Sequence, residues 1–138
     1  MEERWNPWAE LRRRPWVRLE WADLHGRRGE WIPLVPTGSL IVLDWRLTRR
    51  ERRCTLAHEL VHDERGIAYT AEHPDGLVDV EERAVWAETV RRLVPPGQLA
   101  ALVTAADGEP VEVHHVEELF DVDRNVAERA CRALLVSE

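Results

Sequence analysis

A helix whose start and stop are both written into the sequence does most to limit what this chain can become. Thr48-Arg49-Arg50-Glu51 has the S/T-x-x-E form of a capping box, in which the Thr48 hydroxyl accepts from the Glu51 amide and the Glu51 carboxylate accepts from the Thr48 amide. Gly66 suits the left-handed position just past a helix. The spacing therefore predicts a helix from Arg49 to Arg65. Inside it stands His58-Glu59-Leu60-Val61-His62. At about 100° per residue the two histidines lie about 40° apart around the axis and one turn along, so both imidazoles can reach one ion. Glu59 projects about 60° beyond His62, close enough to hydrogen-bond a water held at that ion. Cys54, Leu56, Ala57, Leu60 and Val61 occupy the remaining arc, so one side of the helix packs while the other carries ligands.

With 6 histidines and 18 glutamates in 138 positions, chance supplies roughly 0.03 matches to H-E-x-x-H. The plainer alternative is a solvated helix face bearing two histidines. Catalytic zinc takes three protein ligands and keeps one open position, so the pair is one ligand short. The extension H-E-x-x-H-x-x-G-x-x-H fails, because the required Gly and His positions are Arg65 and Ala68. A glutamate on a following helix is the other route. A helix is expected over Val80–Leu93, opened by Asp79 and stopped by Pro95-Pro96. On it Val85, Trp86, Thr89, Val90 and Leu93 fall within about 80° of Glu82, while Glu81 and Glu88 point away from that stripe. A carboxylate amid apolar neighbours must be neutralised, paired or metal-bound. The competing role for Glu82 is as the last residue of an Asp79-x-x-Glu82 box that caps its own helix.

The rest of the chain reads as a small sheet followed by helices, an α+β fold in which an N-terminal β-sheet packs on a helical body. At this length one domain, 1–138, is expected, mainly sheet over 1–46, with the His- and Glu-bearing helices over 47–95 and a helical part over 96–138. A short helix is expected over Trp8–Arg14, ending before Pro15. Val17, Leu19 and Trp21 alternate with Arg18 and Glu20 as in a half-buried strand. Trp31–Val35 reads as a second strand that Pro33 confines to an edge or bulge. Leu40–Leu43 reads as a third, buried one. Further helices are expected near Gly97–Ala106 and Val116–Leu135, the latter broken around Asp121–Asp123.

Composition narrows the function classes. The formal net charge of -7 argues against nucleic-acid backbone binding as the main activity. Arg12-Arg13-Arg14 and the arginines of 49–53 are read as solvated or ion-paired faces. No apolar stretch approaches the ~18 residues of a membrane span. The opening residues carry no apolar h-region, so a cytoplasmic protein is expected. Cys54 and Cys131 cannot build a disulfide framework.

The segment from Arg49 to Gly66, R-R-E-R-R-C-T-L-A-H-E-L-V-H-D-E-R-G, with Glu82-Arg83-Ala84-Val85 and Leu93-Val94-Pro95 after it, resembles the ImmA/IrrE family of metallopeptidases, particularly its small actinobacterial and actinophage members. Trp5-Asn6-Pro7-Trp8 and Leu47-Thr48-Arg49-Arg50 are similar to those members too. The resemblance spans most of residues 5 to 135, and its specific parts are the H-E-x-x-H and the downstream E-x-x-small segment. It implies a minimal gluzincin-like zinc protease that cuts a helix-turn-helix repressor of a prophage, another mobile element or a stress response. By that resemblance His58, His62 and Glu82 bind Zn2+, and Glu59 is the catalytic base. The chain has Val85-Trp86 and Thr89-Val90 where the family usually has Ala-Asn and Phe-Ala, which changes the neighbouring substrate pocket.

Other residues have weaker claims. Tyr69, or His73 in the same loop, is a candidate donor to a developing oxyanion, with a surface or packing role as the alternative. Asp44 is a candidate to orient a ligand imidazole, whereas Asp63, turned about 100° from His62, is not. His114-His115 have no assignable place, and His25 looks like a turn residue. A substrate segment is expected to add to an edge strand beside Leu40–Leu43, which itself reads as core. Val116–Leu134 has a helix-turn-helix-like pattern but is acid-rich, which favours a scaffold or docking role. The rival to the protease is a zinc-containing docking protein of a phage immunity or toxin-antitoxin system without proteolytic activity.

Overall fold

The structure, a computed structural model, describes residues 4–68 and 75–136. It is a small α+β fold with a three-stranded sheet and six helices among those residues. The alternating segment forms β1 (Val17–Ala22), the Pro33-containing one β2 (Gly29–Pro33), and the apolar run β3 (Ser39–Asp44). The sheet order is β1-β3-β2. β3 therefore takes the central place that its continuous hydrophobicity requires, with Ile41 and Leu43 fully buried. β1 runs parallel to it with Val17 opposite Ser39, and β2 antiparallel with Trp31 opposite Ile41. β2 is an edge strand, where Pro33 deprives no neighbour of a hydrogen bond. The Asp44 amide donates to the Arg28 carbonyl and the Leu34 amide to that of Gly38, each at 2.9 Å. With the antiparallel alternation, Glu30 and Ile32 then face β3, and the N–H and C=O of Gly29 and Trp31 point away from it.

The chain divides into two compact units, Met1–Thr89 and Val90–Glu138. In the first, α1 (Pro7–Arg12) opens on Asn6, whose side chain accepts from the Trp8 and Ala9 amides. It stops two residues earlier than expected, at Arg12, and Arg14 beyond it pairs with Asp63. The capped helix, α2 (Arg49–Arg65), has both expected ends: the capping box is formed, and Gly66 is left-handed at φ 67°. Hydrogen bonding from the Thr48 amide holds the Glu51 carboxyl below the usual carboxylate range. α2 packs its Leu56 and Leu60 on the sheet with Val17, Ile41, Leu43 and Leu47.

Two local features bring the sheet close to α2. Gly29 has no room for a side chain, since a Cβ there would lie 2.6 Å from Thr55 Cγ2. Asp63, on the turn after His62, accepts from four groups: Ser39 Oγ at 2.6 Å, Arg14 Nη1 at 3.1 Å, Trp16 Nε1 at 3.1 Å and Trp31 Nε1 at 3.2 Å. One carboxylate thus ties the entrance of β1, the edge strand and the start of β3 to the helix. These donors outweigh burial, which alone would raise its pKa, and hold the Asp63 carboxyl below the usual range. Arg14 also reaches the Leu60 carbonyl at 2.8 Å and both Glu10 and Glu64. That arginine of the 12–14 run is therefore a buried ion-pair partner, as the ion-paired reading expects.

α3 spans Asp75–Leu93 and begins earlier than the expected Val80. In the second unit α4 (Pro96–Ala105) opens on a proline, and α5 (Val113–Phe120) and α6 (Arg124–Val136) are separated at Asp121, which is left-handed at φ 56°. The break falls where the sequence places it, and Asp123 accepts from the Val126 amide to start α6. Val116, Phe120, Val122 and Val126 are buried there. No described helix is long and apolar enough to cross a membrane.

Candidate metal centre

The early start of α3 decides between the two roles open to Glu82. A capping role requires the helix to begin beside Asp79, but α3 already begins at Asp75, so Glu82 lies in its interior and does not cap it. Its carboxylate turns to α2 instead. Oε1 lies 2.7 Å from His62 Nε2, and Oε2 3.3 Å from His58 Nε2. One ligand atom from each of the three residues falls within 4.8 Å of the others. Two imidazoles and a carboxylate converging through these atoms are a donor set that suits zinc. His58, His62 and Glu82 could therefore hold a metal ion.

Glu82 is not buried in an apolar stripe as the helical rotation predicts. Val85 and Thr89 are fully buried, but the Glu82 side chain remains 43% exposed, at the side of the stripe facing the histidines. Glu81 is the correction to the same argument. Expected to point outward, it is buried, because the Arg65 guanidinium at the end of α2 meets it: Nε donates to Oε1, and Nη2 to Oε2 at 2.9 Å. Rotation about a helix counts apolar neighbours and has no means of seeing a cation supplied by another helix. The Arg65–Glu81 pair fixes the residue before Glu82 against α2.

Both imidazoles are held by aromatic neighbours. The His58 and His62 rings meet edge to face at 4.9 Å between centroids, and Trp86 lies over His58 at 4.1 Å. Trp31 lies parallel to His62 within 9°. Hydrogen bonds from His58 and His62 hold the Glu82 carboxyl well below the usual range. Burial alone would lower the His62 pKa, but its hydrogen bond to Glu82 and the nearby Glu59 carboxylate raise it. Glu59 is buried, and desolvation pushes its pKa up to about 7, opposed by His62 and reinforced by the carboxylates of Glu82 and Glu30.

A cleft of about 430 Å³ runs between the β2 edge and these side chains, lined by Trp31 and Ile32 on one side and by Glu59, His62 and Glu82 on the other. Glu59 therefore faces the same space as the converging donors without being one of the three. The outward N–H and C=O groups of Gly29 and Trp31 lie on the edge strand that bounds this space, and no described strand pairs with them.

The remaining sequence candidates fall elsewhere. Tyr69 and His73 lie outside the described residues. Asp44 does not orient an imidazole: its carboxylate accepts from the Leu24 and Arg46 amides at 2.8 and 2.9 Å and orders the turns there. His25 is a turn residue with φ 53°, as expected. His114 and His115 lie on α5 in the second unit, each in contact with Glu112. The parts played by Trp31, Trp86 and the Arg65–Glu81 pair were not legible, since each is set by a contact between separate elements: Trp31 with Asp63 and His62, Trp86 with His58, and Arg65 with Glu81. Comparison of the chain with protein-family models, with curated proteins and with solved structures finds no match.

Proposed function

We propose that this chain is a cytoplasmic zinc-dependent endopeptidase of the ImmA/IrrE type, with a minimal gluzincin-like site, and that it cleaves one specific protein, a helix-turn-helix repressor of a phage or other mobile element. The observation that carries the reading is the approach of the Glu82 carboxylate to both His58 and His62 across 20 residues of sequence, with Glu59 in the cleft beside them. His58, His62 and Glu82 would hold the metal. Bound zinc supplies Lewis acidity, which lowers the pKa of water towards about 7 and polarises a carbonyl.

The chain's own groups supply the rest. The Glu59 carboxylate accepts the proton of the attacking water and returns it to the departing amine nitrogen. Gly29 and Trp31 offer outward backbone groups to an extended substrate segment, aligning its scissile bond along the cleft. Trp31 and Ile32 give that cleft an apolar wall. The repressor as substrate rests on the family resemblance alone. Co-expression with a helix-turn-helix repressor encoded in a neighbouring reading frame should yield discrete repressor fragments that disappear on zinc chelation. A repressor left intact by the zinc-loaded chain contradicts the proposal.

A further inference from the structure

The edge strand and the metal-ligating helix meet through one side chain. Trp31 belongs to β2, and its indole lies parallel to the His62 imidazole, 9° apart in plane and 6.4 Å between centroids. Its Nε1 donates to Asp63 Oδ1 at 3.2 Å. That oxygen also accepts from Ser39 Oγ at 2.6 Å, and the other oxygen accepts from Arg14 and Trp16, so the acceptor itself is pinned. The indole is thereby fixed at its edge by a carboxylate and set with its face along the ring of His62. Its backbone N–H and C=O at the same time point outward from the sheet edge, away from β3.

We propose that Trp31 is a positioning residue for His62: the Asp63–Trp31 hydrogen bond locks the indole against the imidazole and so presets the ring for metal binding. This rests on the zinc reading above. A ligand ring held in one orientation loses little freedom when it coordinates, whereas a ring whose neighbour can swing must be ordered at the moment of binding. Ser39 is the internal control, since it donates to the same Asp63 oxygen but comes from β3 and is not the residue stacked on His62. A role confined to holding the fold together would make loss of Ser39 and loss of the Trp31 N–H act alike.

Zn2+ affinity is measured on the 138-residue chain by competition with a chromophoric chelator, and the visible spectrum is recorded with Co2+. Trp31→Phe, which keeps a ring but has no N–H for Asp63, should bind Zn2+ about tenfold more weakly and shift the Co2+ bands. Ser39→Ala should melt at a lower temperature with unchanged Zn2+ affinity and Co2+ spectrum. If Trp31→Phe does not fold, Trp31→Leu, which likewise offers Asp63 no donor, is read by the same criteria. Wild-type affinity and spectrum in the Trp31 variant, or equal weakening by Ser39→Ala, overturns the inference while leaving the zinc site standing. Absence of Zn2+ binding by the wild type overturns the proposed function, and this inference with it.

Discussion

Glu59→Gln should leave zinc bound and reduce repressor cleavage by about 10²–10⁴-fold, the range over which a positioned general base acts. Glutamine has nearly the same shape and can still hydrogen-bond, but it cannot accept and return a proton. Glu59 is not one of the three converging donors, so metal affinity should hold. The fold should hold too. Burial already disfavours the Glu59 carboxylate enough to push its pKa to about 7, and an uncharged amide at that place avoids the desolvation cost. The comparison needs zinc content, circular dichroism and fragment yield from the same preparations. Undiminished cleavage by a folded, zinc-loaded variant would remove Glu59 from the mechanism.

Asp63→Ala should destabilise the protein by about 3 kcal/mol, the lower end of what breaking a buried ion pair costs. The variant leaves Ser39 Oγ and the Trp31 indole N–H without their acceptor and takes one of several partners from the buried Arg14. The figure stays at the lower end for two reasons. Arg14 keeps Glu10 and the Leu60 carbonyl, and Trp16 is 53% exposed, so water can replace its bond. Urea unfolding should show a reduced midpoint with an unchanged slope. A loss below about 1 kcal/mol would mean that the network is no better than an exposed pair.

What could be read in advance divides by range. α2 was legible to the residue, because its capping box, its helical period and its terminal glycine are each local signals, acting over no more than about one turn of chain. The break between α5 and α6 and the edge placement of β2 were legible for the same reason, through Asp121–Asp123 and Pro33. The start of α3 was not: Asp79 offers a local cap signal, yet the helix runs through it from Asp75. The convergence of Glu82 on the histidines was inferred from burial in an apolar stripe, a reason that the half-exposed carboxylate does not bear out. What it does have is two imidazoles within hydrogen-bonding reach, a long-range fact. Trp31 and Glu81 were missed because their partners, Asp63 and Arg65, lie 32 and 16 residues away in sequence, and a helical or strand period carries no information on such pairs. Asp63 accepts from Arg14, Trp16, Trp31 and Ser39 and is not hydrogen-bonded to His62, as its rotation about the helix predicts. The same turn of the helix that separates the two aims it at the sheet.

Under the proposed function His58, His62 and Glu82 together hold one divalent cation. Zinc X-ray absorption on the stoichiometrically loaded protein tests it most directly. Two imidazole nitrogens at about 2.0–2.1 Å with oxygen completing the shell are expected, with loss of stoichiometric zinc in Glu82→Ala. A spectrum without imidazole scattering, or a Glu82→Ala variant that binds zinc as tightly as the wild type, would contradict it.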